Sequence, residues 1–266
     1  VPANVAVGLG FTGPMLSPSS ACSTSSQSII MGAELIKAGI YDVVIAGGAD
    51  ELDHTSAAIF DIALAASTKY NDKPEYASRP FDSARDGLVV SEGAGIVILE
   101  SESHAKDRGA KSLGRYLGGA YHCDGSHMTQ PQVPAMIKTM NRALKIAKTD
   151  VLEVGYINAH ATGTVIGDAE EAKAIGQVFG KRPFVSSLKG HMGHSLAACG
   201  ALEVIASLKM MDSGKIIATR NLDVVDPDCQ SIQLNQKNLD HSVDCVLSNN
   251  FAFGGMNTSI VLGRNH

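Results

Sequence analysis

Short apolar runs alternate with longer amphipathic stretches along most of the 266 residues. Asp42–Gly48 (DVVIAGG) and Gly93–Leu99 (GAGIVIL) are continuous apolar runs closed by glycine or acid, the pattern of a buried strand. Ser101–Arg108, ended by Gly109, reads as a short helix with a glycine C-cap. Pro134–Ala147 places Met136, Ile137, Met140, Leu144 and Ile146 at near-helical spacing. Val154–Asn158 predicts a strand. Gly167–Phe179 predicts a helix whose acidic first turn suits the macrodipole. A strand over Phe184–Leu188 and a long helix over about Ser195–Met211 follow. Val243–Ser248 and Thr258–Leu262 read as two strands flanking a glycine-rich turn. Strands alternating with helices predict an α/β layered fold. A boundary is expected near Gly109–Leu113, dividing residues 1–110 from 111–266, with the longer set of elements in the second part.

Composition narrows what such a fold does. Lys and Arg number 22 against 27 Asp and Glu, a net charge of −5, which disfavours a nucleic-acid groove or an anionic membrane surface. With 44% hydrophobic residues the chain can bury a sizeable core. No apolar run approaches the roughly 20 residues that a bilayer requires. Five scattered cysteines without a CxxC pair fit a reducing compartment, the cytoplasm, better than a disulfide framework or a structural zinc site. The chain opens on Val1-Pro2 rather than Met, as expected of a sequence that lacks its own N-terminal part.

Four segments carry candidate chemistry. In Ser17–Gly39 a Ser-rich approach ends at Cys22, and an amphipathic helix closed by Gly39 follows. A thiol at a helix N-terminus faces the positive end of the dipole, which predicts a lowered pKa and a thiolate nucleophile. The alternative is a small buried cysteine among polar capping residues. Upstream, Gly8–Gly13 matches GxGxxG, but Pro14 to Pro18 predict extended chain where a dinucleotide site needs a helix. The second segment, GYINAHATGTVIGD, runs a strand into His160, with Thr162 and Thr164 in the loop beyond. The third, FVSSLKGHMGHSLAACG, brings Lys189, His191 and His194 to a helix entry. His-x-x-His spacing there suits a metal, but no HExxH pattern supports one, and none is expected. The fourth, LSNNFAFGGMN, delivers Phe251 and Phe253 into a Gly254-Gly255 turn whose N–H groups are candidates for an oxyanion hole; an ordinary hairpin turn is the alternative.

Together, ACSTSS at Cys22, NAHATGT at His160, KGHMGH over Lys189–His194 and NNFAFGG at Phe251–Phe253 resemble the β-ketoacyl-acyl carrier protein synthases of the thiolase superfamily, closest to the Cys-His-His elongating type. LGFTGP, AGGADE, SRPFDSARDG, SEGAG and GAKSLGRYLG add to the likeness, which runs through nearly the whole chain. The resemblance implies a thiolase-like α/β fold of two pseudo-symmetric mixed-sheet halves. Residues 1–110 would be the C-terminal part of an incomplete first half carrying the nucleophile, and 111–266 the second half carrying both histidines. Met128–Pro134 is short against the family pattern. The resemblance further implies an acyltransferase that needs no cofactor and no metal. Its partner is an acyl carrier protein bearing acyl and malonyl thioesters, and it works as a homodimer or as a heterodimer with a chain-length partner. By position, Cys22 would accept the acyl chain, and His160 and His194 would hold the malonyl carbonyl. The N–H groups of Cys22 and Phe253 would form the oxyanion hole. Lys189 and Glu203 would support the histidines, with Asp168 and Glu171 bracing the same network. Thr162 and Thr164 would bind the pantetheine arm, and Phe253 would gate the acyl pocket with Phe251 beside it. His191 falls on a variable family position. Ala252 and Asn250 stand where the family commonly has glycine and serine, which bears on chain length more than on reaction type. A CoA-dependent thiolase, an initiating Cys-His-Asn synthase and a non-catalytic chain-length subunit are the rival readings.

Overall fold

A computed structural model describes residues 1–126 and 129–265; of the stretch Met128–Pro134, Met128 lies outside the described residues. Helix α1 (Pro2–Leu9) starts on a proline and stops at Gly10, whose φ of 71° is left-handed. Residues 14–20 then form no helix or strand, so GxGxxG does not open one. A 3-10 turn (Ala21–Ser23) leads into α2 (Thr24–Lys37), followed by β1 (Val43–Asp50). Helix α3 (His54–Ile62) is capped by Asp53, which accepts from Thr55 N at 2.8 Å. After β2 (Gly93–Glu100), Ser101 caps α4 (Glu102–Asp107). Strand β3 (Arg115–Cys123), helix α5 (Val133–Ala147), strand β4 (Tyr156–Asn158), helix α6 (Val165–Phe179) and strand β5 (Phe184–Ser186) come next. A short α7 (Lys189–Met192) and a 3-10 turn (Leu196–Ala198) precede α8 (Cys199–Ser213). The chain ends with β6 (Lys215–Ile216), β7 (Gln233–Leu234), β8 (Leu239–Asp240), β9 (Cys245–Phe251) and β10 (Met256–Gly263).

The main sheet has six strands in the order β3-β10-β9-β4-β5-β7, antiparallel at the β3 side and parallel from β9 onward. Helices α5 and α6 cover one face around a core that includes Met140, Ile157, Ile175 and Leu247. Helices α2 and α8 cover the other, with Ile29, Val204, Val246 and Ile260 between them and the sheet. Burial on both faces explains the apolar runs 245–247 of β9 and 260–262 of β10, while 248–250 and 257–259 are buried and polar. Beyond α2 and α8 lies a two-stranded antiparallel sheet, β1–β2. The two central helices are thus sandwiched, and their first turns meet below the ends of both sheets. Gly200 makes this approach possible, because a Cβ there would run into Ser26 Oγ and Asn250 Oδ1 of the neighbouring elements.

Several element boundaries differ from the sequence pattern: β9 runs Cys245–Phe251 rather than Val243–Ser248, and three others have a local cause. The strand at 184–188 stops at Ser186, because the next residues turn into α7. The strand at 154–158 starts at Tyr156, since a 3-10 turn over Val151–Glu153 occupies the approach. The long helix begins at Cys199 rather than Ser195, because Leu196 at φ 46° cannot join a right-handed helix.

Candidate active site

Cys22 occupies the 3-10 turn ahead of α2 and is 6% exposed. The preceding Ala21 sits at φ 48°, an uncommon left-handed conformation for a residue with a Cβ. Neighbouring side chains hold it there. Thr24 Oγ1 donates to Ala21 O at 2.7 Å and accepts from Ser20 N at 3.0 Å. Ser23 Oγ bonds the carbonyls of Asn250 (3.0 Å) and Met256 (2.9 Å), fixing the turn to β9 and β10. Three groups converge on the sulfur: His194 Nε2 at 2.9 Å and the backbone N–H groups of Phe253 and Cys22 itself. The helix N-terminus does not win the charge balance, contrary to the sequence expectation of a ready thiolate. Burial pushes the Cys22 thiol up to about 11, against the opposing pull of Lys189 and the two N–H donors.

The two imidazoles arrive from the ends of β4 and α7. Their ring centroids lie 5.3 Å apart with planes at 84°. Cys22 Sγ and one nitrogen of each ring all fall within 4.8 Å of one another, the one such Cys/His/Asp/Glu trio among the described residues. Glu171 fixes the His160 backbone by accepting from His160 N (2.8 Å) and Ala161 N (2.7 Å). Asp168 accepts from Phe81 N (2.8 Å), Thr162 N (3.0 Å) and Gly163 N (3.1 Å), with Arg85 Nε 3.7 Å away. His194 is held by its own backbone, its N–H donating to Val89 O (2.7 Å) and its carbonyl accepting from Ser91 N (3.0 Å). Burial first, then the Lys189 charge, hold both imidazoles well below their usual range, so both are neutral at pH 7. Neither His160 Nδ1 nor His194 Nδ1 has a hydrogen-bond partner among the described residues. A buried N–H without an acceptor is costlier than a lone pair without a donor, so the favoured tautomer carries its proton on Nε2. His191 points away and bonds Ala218 O at 2.8 Å, so the two histidines of the His-x-x-His stretch do not share a site.

Behind the histidines lies a buried polar chain. Lys189 Nζ pairs with Glu203 Oε1, both side chains at 0% exposure. Glu203 Oε2 accepts from Asn250 Nδ2 at 2.7 Å, and Ser26 Oγ donates to Asn250 Oδ1. The neighbouring carboxylate keeps the Lys189 ammonium charged despite its burial. Asn250 therefore ties α2, α8 and β9 together. A second buried cysteine, Cys199, hydrogen-bonds Cys22 O at 3.2 Å. Sequence reasoning missed a second buried network. Arg79 pairs with Asp82 (2.9 Å) and Asp223 (3.0 Å), and Arg85 pairs with Asp226 (2.6 Å). Arg85 also bonds Thr164 O and Val165 O, which pins the loop after His160. Its signal was present in SRPFDSARDG, where two arginines and two aspartates alternate inside an otherwise small and apolar stretch.

A cavity of about 330 Å³ opens from the sulfur to the surface. Cys22, His160 and His194 lie at its inner end, and Thr162 and Thr164 line its side, their hydroxyls 3.2 Å apart. Phe251 packs edge-on against His160 with centroids 6.4 Å apart, and the Phe253 ring lies tilted at 41° to that of Phe60, centroids 6.0 Å apart. Between them, Ala252 N donates to Met256 O (2.9 Å) and Gly255 N to Ala252 O (3.2 Å), closing a tight turn. Gly255 has φ 76° and abuts Asp124, so glycine is required there on two counts.

A thiol, two neutral imidazoles and two converging backbone N–H groups thus meet at the end of a cavity in a thiolase-like fold, the components that acyl transfer requires. Residues 1–105 match the N-terminal domain of beta-ketoacyl synthases and residues 113–223 match the C-terminal domain, and the chain belongs to that family. Barley 3-oxoacyl-[acyl-carrier-protein] synthase I, chloroplastic, is 39% identical over 268 residues, covering 97% of this chain and 56% of its own length. The crystal structure of a beta-ketoacyl synthase from Burkholderia phymatum superimposes with a TM-score of 0.97 at 42% identity, covering 99% of this chain and 65% of its own. A type II polyketide acyl-carrier protein in complex with its ketosynthase, AntDE:AntF, gives 0.95 at 30% identity over 100% of this chain and 66% of that one. The chain thus spans between half and two thirds of the length of these relatives.

Proposed function

We propose that the protein is a 3-oxoacyl-[acyl-carrier-protein] synthase, joining malonyl units to an acyl chain held on Cys22. The observation that carries the reading is the buried Cys22 sulfur with His194 Nε2 at 2.9 Å and His160 beside it. An acyl carrier protein would present its thioester through the cavity, with Thr162 and Thr164 hydrogen-bonding the pantetheine arm. The Cys22 sulfur attacks the carbonyl, whose oxyanion accepts from the N–H groups of Cys22 and Phe253. The carrier thiol leaves with the proton that the Cys22 thiol gives up. A malonyl thioester then enters, and its carbonyl oxygen accepts from the Nε2–H groups of His160 and His194. As the carboxylate departs as CO2, the enolate charge develops against those two donors. The α-carbon attacks the acyl-Cys22 carbonyl, the tetrahedral oxyanion returns to the same two N–H groups, and the Cys22 thiolate is expelled. The product is a 3-oxoacyl thioester two carbons longer.

In this reading Lys189 and Glu203 keep the field around the histidines fixed, Asp168 and Glu171 hold the His160 loop, and Phe253 gates the passage with Phe251. The protein would act as a dimer, alone or with a chain-length partner, in the cytoplasm, on fatty acid or polyketide chains. A thiolase needs a second cysteine near the glycine turn, and Cys123, the one that reaches Gly254 O (3.6 Å), is exposed and does not line the cavity. A non-catalytic chain-length subunit has no use for a nucleophile placed as Cys22 is. The test is product analysis with the full-length protein, an acyl-carrier and a malonyl-carrier thioester. Cys22→Gln abolishes condensation and leaves malonyl decarboxylation in place. Condensation undiminished in that variant would refute the assigned nucleophile.

A further inference from the structure

Behind the cavity wall formed by Thr162 and Thr164 lies a buried guanidinium. Arg85 is 4% exposed and does not itself line the cavity. Its Nε donates to Thr164 O (3.2 Å) and its Nη2 to Val165 O (2.7 Å). Its Nη1 faces the other way, toward Asp82 O (3.0 Å) and Asp226 Oδ2 (2.6 Å). These four acceptors come from three segments far apart in the sequence. A planar fork of N–H donors can serve them together, and a single ammonium cannot.

The loop from His160 to Val165 is tied down along its length. Glu171 accepts from His160 N and Ala161 N, and Asp168 from Thr162 N and Gly163 N. Ser187 Oγ donates to Ala161 O (2.7 Å), and Gly87 N to Gly163 O (3.0 Å). Gly163 stands at φ 89°, and a side chain there would meet Gly87 O. From there into α6 the chain is held through the carbonyls of Thr164 and Val165, and Arg85 is on both.

Thr164 behaves unusually for its place. It is the N-cap of α6, where a threonine hydroxyl ordinarily accepts from an N–H of the first turn, but it makes no capping bond. Its hydroxyl accepts instead from Thr162 Oγ1 at 3.2 Å, in the wall of the cavity. With Thr162 donating, Thr164 keeps its own hydrogen to give. The Arg85 bonds thus supply the anchoring that a cap would have supplied, and the hydroxyl is left for other use.

We propose that Arg85 is a positioning residue for the pantetheine arm. By holding the Thr164 and Val165 carbonyls it frees the Thr164 hydroxyl from capping and fixes the direction of both threonine hydroxyls at the cavity wall. The inference rests on the reading of Thr162 and Thr164 as the groups that bind the arm, and it names what orients them.

The test compares acylation of Cys22 in the full-length protein by an acyl-pantetheine thioester and by the S-ethyl thioester of the same acid, which carries no arm. Arg85→Lys keeps the positive charge and loses the fork. It is expected to raise KM for the pantetheine thioester about tenfold, the worth of one hydrogen bond, with kcat and the S-ethyl rate changed by no more than about twofold. Asp226→Asn loosens the far side of the same guanidinium and should raise that KM by about threefold, which keeps the test open if Arg85→Lys does not fold. With Thr162→Val and Thr164→Val combined, the advantage of the pantetheine thioester should be gone, and adding Arg85→Lys should cost nothing more. An equal loss on both thioesters would overturn the proposal, as would an unchanged KM in both Arg85→Lys and Asp226→Asn. A full additional loss in the double-valine background would do the same, since Arg85 would then act on another group. If the double-valine protein kept its preference for the pantetheine thioester, the assignment of the threonines would fall and the proposal with it. If that preference were lost and Arg85→Lys behaved as the parent, the proposal alone would fall.

Discussion

The 3-10 turn Ala21–Ser23 leads into α2, and the 3-10 turn Leu196–Ala198 leads into α8; each begins with a non-glycine residue in the left-handed region, Ala21 at φ 48° and Leu196 at φ 46°. Each helix is followed by an antiparallel strand pair, β1–β2 after α2 and β9–β10 after α8. Two copies of one device therefore stand back to back, and they are used differently. The second residue of the first turn is Cys22, at the inner end of the cavity. Its counterpart is Ala197, whose N–H donates to Asp50 Oδ2 at 3.1 Å. The surroundings differ as well. Strands β9 and β10 lie inside a six-stranded sheet with helices on both faces, whereas among the described residues β1 and β2 pair with each other alone and leave Ile96 and Ile98 exposed, the latter at 64%. The Cys22 turn is tied to the six-stranded sheet and to α8 through Ser23 and Ser26 bonded to Asn250 and through Ala201 N donating to Ser25 Oγ (3.0 Å).

The largest effect should come from exchanging the two turns. Cys22→Ala should reduce acyl transfer to background, a loss on the order of 10⁶ in rate for a removed nucleophile. Adding Ala197→Cys to that variant should restore nothing, because the second turn faces Asp50 rather than the cavity. Acyl transfer recovered by the double variant would show that the two turns are interchangeable and break the comparison. Next comes the contrast between the sheets. Ile260→Ala, at a fully buried position of β10, should lower stability by about 2–5 kcal/mol. Ile98→Ala, on the open face of β2, should stay within about 0.5 kcal/mol in this chain. Denaturant melts of both variants compare the two positions directly, and equal losses would contradict the difference in burial between them. A smaller effect concerns charge at the first turn. Only the thiolate is alkylated, and burial raises the Cys22 pKa to about 11, so the neutral thiol dominates at all lower pH. The iodoacetamide rate at Cys22 should therefore climb about tenfold per pH unit from pH 7 to 9. A plateau near neutral pH would restore the lowered pKa that the helix dipole alone suggests.

Much of this arrangement is legible in the sequence, and the omissions have physical causes. Strands β1, β2, β9 and β10 announce themselves because both faces, or one face and a turn, demand apolar residues. Helix α3 does not, since none of its residues is buried and its pattern therefore lacks a stripe. Strand β3 is hidden by Gly118 and Gly119, residues that weaken any strand pattern. A side chain at Gly118 would run into the Ala147 backbone, and one at Gly119 would meet Ile30 and Tyr116. Helix α1, without a buried residue, carries no periodic signal either. At the site, Cys22, His160 and His194 are visible as motifs at the ends of predicted strands and at helix entries. Their meeting point is not visible, because it depends on α2 and α8 packing first turn against first turn. The same burial reverses the expected acidity of the thiol: a dipole can be read from position, and desolvation cannot.

The most direct test is peptide mapping by mass spectrometry of the full-length protein after incubation with an acyl-carrier thioester alone. One added acyl group per chain is expected, on the peptide containing Cys22, removed by hydroxylamine and absent in Cys22→Ala. An acyl group on Cys199 or any other residue, or a chain that remains unmodified while its product still forms, would contradict it.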